Sequence, residues 1–274
     1  MGFNAGWLVQ AEGPPSAVLA KLKKAIGERG VDNDEDVAFY FAHWVTDLAG
    51  AEPTPFLGTE KFAVKFPPPV LQGLLSCFSI VKYLADGTET EIYERYLVTR
   101  WKAAENLLGP LPQGPERTAK LRLHCMGQGG AKSLLDEFDR LPVATRDLLA
   151  REMAETGLVG QQFSEWQALG GPQVGMPFLT YYGPAWCQRI GQTHPNLCLQ
   201  VLAMIFRLCR VAYPESKNET PADLGSGSRT AQLGALKTVD VDDLRVVIDD
   251  GDSCFEMCRD NRLECTLKVY MLSA

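Results

Sequence analysis

Histidine is scarce in this chain: His43, His124 and His194 are the three among 274 residues. The residues that follow them are Trp44, Cys125 and Pro195, so the adjacent His-Asp pair of a helical phosphohydrolase metal site is missing. No Glu-x-x-His stands anywhere, which excludes a carboxylate-bridged di-iron bundle. Cysteine occurs eight times, at 77, 125, 187, 198, 209, 254, 258 and 265, but never as C-x-x-C, so the close thiol pairs of a structural zinc are lacking too. Cys198 and Cys209, eleven residues apart, would lie about 16 Å apart along one helix, too far to bridge. The cysteines read as buried thiols in a reducing, cytoplasmic setting.

Other absences narrow the field further. There is no G-x-x-x-x-G-K-[ST], no G-x-G-x-x-G after a strand and no G-x-S-x-G, so phosphate-cradling loops and nucleophile elbows have no support. No apolar run reaches the ~18 residues of a membrane span. The opening MGFNAGWLVQ has no basic segment before an apolar one, which argues against a secretory signal. Positive charge is in deficit: 27 Lys and Arg against 34 Asp and Glu give a net charge of −7. That balance argues against a nucleic-acid backbone or an anionic membrane as partner. The acidic runs at 240–243 and 249–252 lack the alternating oxygens and terminal Glu of a calcium loop, and read as polar turns. The residues imply neither a cofactor nor a metal.

What is present is helical patterning as far as residue 213. Ser16 stands where it would cap a helix with Leu19, Leu22 and Ile26 on one face. Pro67-Pro68-Pro69 precedes an apolar helix. Thr88 and Glu91 have the spacing of a capping box before IYERYLVTRWKAAENLL, which Gly109 and Pro110 end. Pro142 opens a helix that reaches Gly157. Residues 157–183, with six glycines, read as a looping crossing segment in which FLTYY is a short strand. The run after Pro195, NLCLQVLAMIFRLCRVAY, is apolar on most sides and is expected at the middle of the bundle. Past Pro214 the composition turns polar and rich in Gly and Ser, then alternates with period two in short runs separated by Asp-Gly and Asp-Asn turns.

The expected architecture is therefore mainly α: an irregular bundle of about seven or eight helices with a small C-terminal antiparallel β meander. Residues 1–213 form the helical domain, 214–237 a polar linker, and 238–274 a three-stranded element. That element is too small to be stable alone, so it should pack on the helical body.

Two stretches carry chemistry-bearing residues. In AFYFAHWVTDL, a helix over 33–49 would place Asp36, Tyr40, His43 and Asp47 in one polar stripe beside an apolar face. A carboxylate holding an imidazole fixes its tautomer and supports its charged form, so His43 oriented by Asp47 is the candidate catalytic pair. The alternative is an ordinary polar pair on a helix surface. In TYYGPAW, Tyr181, Tyr182 and Trp186 surround a Gly-Pro corner that starts a helix, and are candidates for binding a ligand or partner. The same aromatics could instead staple the helix to the core. With no complete nucleophile, metal or cofactor set to read, the favoured function is a non-catalytic protein-interaction or regulatory domain with a protein partner. The alternative is a small-molecule hydrolase or transferase using His43 as base.

Overall fold

The computed structural model describes residues 5–29, 35, 38–43, 68–170, 178–181, 183–212, 237–240, 244–249, 252–259 and 262–269. These residues are mainly helical. The chain enters through two short helices, α1 (Ala5–Val9) and α2 (Pro15–Val18), followed by α3 (Ala20–Arg29). Residues 38–43 are helical as well. Next come α4 (Pro68–Val81), a 3₁₀ turn over Lys82–Ala85, and α5 (Glu89–Ala103). α6 (Glu105–Leu108), α7 (Arg117–Gly127), α8 (Ala131–Phe138), α9 (Val143–Ala154) and α10 (Ser164–Ala168) follow. Strand β1 (Phe178–Tyr181) precedes α11 (Gly183–Arg189) and α12 (Pro195–Ala212). Beyond α12 the described segments are extended. Lys237–Asp240 (β2) runs parallel to β1, and Leu244–Asp249 (β3), Asp252–Arg259 (β4) and Arg262–Val269 (β5) lie antiparallel in the order β3-β4-β5. The linker expected over 214–237 falls outside the described residues except for Lys237.

Local rules account for several boundaries. Thr88 does close a capping box: its backbone N–H donates to Glu91 Oε2 at 2.8 Å, and its Oγ1 accepts from the Glu91 N–H at 3.2 Å. Two orphan donors at the start of α5 are satisfied reciprocally. The helix expected from Ser16 is instead two pieces. Pro14 is the N-cap of α2 with Pro15 in its first turn, Ser16 is buried, and the chain breaks at Leu19 before α3 begins. Proline at the first helical position fixes the start at Pro15, two residues earlier than a Ser16 cap would. The helix after Thr88 also ends sooner than Gly109, at Ala103, and α6 completes the run to Gly109, whose φ of 84° suits glycine. The bundle accordingly has more and shorter helices than the seven or eight expected.

The centre of the bundle falls on α7 rather than on the helix after Pro195. α7 packs against α5, α8, α9 and α11, whereas α12 lies against α8, α9 and α11. Every residue of α7 but Lys120 is buried, including Arg117, Thr118, Arg122 and His124. Hydropathy alone ranks α12 as more central because it cannot register polar groups that are buried with their hydrogen bonds made.

Arg122 explains why such a helix can be central. Its Nε donates to the Ala11 carbonyl at 3.1 Å, its Nη2 to the Glu12 carbonyl at 3.0 Å and its Nη1 to the Met153 carbonyl at 2.8 Å. From α5, Tyr96 Oη donates to the Val9 carbonyl at 2.8 Å and Tyr93 Oη to the Gly13 carbonyl at 2.9 Å. The loop between α1 and α2 is thus buried, with its carbonyls met one after another by side chains of the two helices beneath it. A buried loop needs such partners, because a carbonyl withdrawn from water without one costs about 1–3 kcal/mol. Ala11 holds a left-handed φ of 51° within this loop, a conformation that non-glycine residues adopt only where the surroundings enforce it.

Candidate functional site

His43 sits on the helical segment 38–43 and is exposed. Its ring stacks on Phe39, one turn earlier, with centroids 6.3 Å apart and planes 5° from parallel. Phe39 itself is 73% exposed. Phe41, from the opposite side of the segment, is buried and meets Phe78 of α4 edge-on at 5.7 Å. The spacing explains the split: residues two apart on a helix point about 200° apart, so Phe41 faces inward as Phe39 faces out. Leu75, one turn before Phe78 on α4, is 67% exposed. Asp47, the expected partner of His43, lies outside the described residues.

The second candidate set is divided. Tyr181 is the last residue of β1, and Tyr182 lies outside the described residues. Trp186, on α11, is buried with its Nε1 donating to the Cys198 carbonyl at 3.5 Å. An indole in that position joins α11 to the first turn of α12.

Sequence reasoning did not single out the polar groups inside the body. His124 is buried on α7, edge-on to Trp101 with ring centroids 5.8 Å apart. Its Nε2 faces the Arg100 carbonyl at 3.3 Å. A carbonyl only accepts, so the proton sits on Nε2, and Nδ1 presents a lone pair that has no hydrogen-bond partner among the described residues. Burial pushes the imidazole pKa down to about 4, opposed by the Arg100 carbonyl and assisted by the Arg100 guanidinium. The ring is therefore neutral at physiological pH, packed as a donor. About two turns before His124 on α7, Arg117 Nη1 pairs with Glu94 and donates to Ser164 Oγ at 2.8 Å, while the Ser164 N–H donates to Glu94 Oε2 at 3.0 Å. A carboxylate from α5 thus receives an N-terminal N–H of α10 and fixes that short helix in place.

The thiols of Cys77 and Cys125 and the phenols of Tyr93 and Tyr96 are likewise set away from reactivity. Burial raises the Cys77 thiol, and lifts the Cys125 thiol to about 12 against the opposing Arg100 and Arg122 charges. Tyr93 and Tyr96 are raised by the same cause. A thiol this far from ionisation is a packing group rather than a nucleophile at neutral pH. Among the described residues no cluster of three or more His, Cys, Asp or Glu is placed to hold a metal ion, and no helix is long and apolar enough to cross a membrane.

No protein-family model matches the chain, and neither a curated protein nor a solved structure matches it.

Proposed function

We propose that the protein is a non-catalytic interaction domain that binds another protein through the outer face of the 38–43 helix and α4. The observation supporting this reading is the exposed aromatic and aliphatic surface of these two elements. Phe39 and Leu75 are large apolar side chains, respectively 73% and 67% exposed, on two helices that touch through Phe41 and Phe78. Aromatic side chains held in place by a packed scaffold are the residues that dominate protein–protein binding energies. The Phe39–His43 stack limits the freedom of the Phe39 ring, which lowers the entropy lost on binding.

A second surface belongs to the same reading. In the β3-β4-β5 register, Leu244, Met257 and Cys265 form one cross-strand row. Val246, Phe255 and Leu267 form the next, and Ile248, Ser253 and Val269 the one after. Such mostly apolar rows suit a meander that packs on the helical body, with β5 as an edge open to strand addition by an extended peptide.

The test is retention of partners from a cell extract by immobilised full chain, with binding constants then measured on the recovered protein. Phe39→Asp with Leu75→Asp should leave the unfolding midpoint unchanged and abolish binding, because both residues are exposed. Val269→Glu places a charge on the edge strand β5 and tests the strand-addition version, provided that its unfolding midpoint is unchanged. Full binding by the Phe39→Asp/Leu75→Asp protein would remove the helical face from consideration, and full binding by Val269→Glu would remove the strand edge.

A further inference from the structure

Cys187 and Cys198 are buried, and their sulfur atoms lie 4.0 Å apart. One stands near the end of α11 and the other in the first turn of α12, so the five residues between the helices (190–194) turn the chain back on itself. That turn is tight. The Ile190 N–H donates to the Trp186 carbonyl at 2.9 Å, the His194 N–H to the Ile190 carbonyl at 2.7 Å, and the Cys198 N–H to the His194 carbonyl at 3.0 Å. Gly191 is required by closeness: a Cβ there would stand 2.3 Å from the Cys187 carbonyl oxygen and 2.8 Å from Leu134. The Trp186 indole adds a contact to the Cys198 carbonyl from the other side. The corner is therefore held so that the two thiols stay in contact. They need to approach only from 4.0 Å to a bond of about 2.05 Å.

We propose that Cys187 and Cys198 are a dithiol–disulfide couple, a covalent modification site that locks α11 to α12 when oxidised by a low-molecular-weight disulfide. One cysteine sulfur, as thiolate, attacks the small disulfide and releases one thiol, leaving a mixed disulfide. The second cysteine sulfur then displaces the remaining small thiol. Overall the two cysteines lose two protons and two electrons, and the oxidant becomes two thiols. Contact with Cys187 and burial both hold the Cys198 thiol above its ordinary range. Thiolate therefore forms when the corner opens, and oxidation is slow in the closed protein and fast during refolding.

The full chain is refolded in a buffer of reduced and oxidised glutathione. In parallel, native protein is held in the same buffer at urea concentrations below its unfolding transition. Free thiols are then trapped by alkylation and the unreduced digest is mapped. The expected result in both arms is a cross-linked peptide joining Cys187 to Cys198, absent from Cys187→Ala and Cys198→Ala proteins. The oxidised form should also show a thermal midpoint about 5 °C above the reduced form, reversed by dithiothreitol. Alkylated, unbridged Cys187 and Cys198 in both arms would overturn the proposal, as would bridges in which these residues pair predominantly with other cysteines.

Discussion

α7 and the helical segment at 38–43 each carry a histidine beside an aromatic ring, in opposite surroundings. His124 is edge-on to Trp101, buried and neutral, on a helix whose polar residues are consumed by the body around it. His43 is stacked flat on Phe39 and exposed, on a segment that buries Phe41 and turns its other side outward. The same residue types therefore do different work according to the partners of their backbone and neighbours. Inside, imidazole and guanidinium are structural donors that let a polar stretch occupy the centre of a bundle. Outside, imidazole orders a ring that water already reaches. If this contrast is right, substitutions within α7 should be felt as stability, and substitutions on the 38–43 segment as binding.

The largest effect is expected at Arg122. Arg122→Met keeps the apolar stem and removes every donor, leaving the carbonyls of Ala11, Glu12 and Met153 without their partner in a buried setting. Each orphaned carbonyl costs about 1–3 kcal/mol, part of which entering water can recover, so a total loss of about 4 kcal/mol is expected in urea unfolding. Arg122→Lys should recover less than half of this, since an ammonium cannot reproduce the planar fork that spans three carbonyls. A loss below about 1 kcal/mol for Arg122→Met would show that the α1–α2 loop does not depend on α7, and the contrast between the two regions would weaken.

The next effect is the contribution of His124 to the dependence of stability on pH. Its folded pKa of about 4 lies below the ordinary value of 6.5, so between these values the unfolded chain binds a proton that the folded chain does not. Stability is therefore greatest above pH 6.5 and falls as the pH drops through that window. The full loss is about 3 kcal/mol once the pH is below about 4. Other groups titrate in the same range, so the measurement is a difference: urea unfolding at pH 7 and pH 4.5 for the wild type and His124→Gln. The wild type should lose about 2–3 kcal/mol more than the variant. Equal losses would mean that the folded imidazole reaches water and protonates freely.

These two residues also mark what the sequence made legible and what it hid. The capping box at Thr88 and Glu91 and the proline start of α12 are local signals, and each is visible in a window of a few residues. The central place of α7 is not local. Nothing within RTAKLRLHCMG announces that Ala11, Glu12 and Met153 are brought to Arg122 from up to 111 residues away. Likewise the break at Leu19 follows from Pro14 and Pro15, yet the periodicity of Leu19, Leu22 and Ile26 conceals it. At the candidate site, the inward and outward alternation of Phe41 and Phe39 could be read from helical spacing. The proximity of Cys187 to Cys198 could not, because it depends on a turn tight enough to require Gly191.

The smallest expected effect is at His43, and it decides the most about function. His43→Ala removes one side of an exposed stack and leaves Phe41 packed on Phe78, so the change in unfolding free energy should stay within about 0.5 kcal/mol. Partner binding should weaken less than about threefold, since Phe39 keeps its exposed surface and loses only part of its ordering. Phe39→Ala in the same assay should weaken binding by more than tenfold, as the loss of an aromatic anchor does. The order of these two effects is the informative quantity. If the alanine at 43 is the more damaging, with the fold intact by circular dichroism, the imidazole acts chemically rather than as a support for its neighbour. His43 with Asp47 as general base would then become the leading assignment.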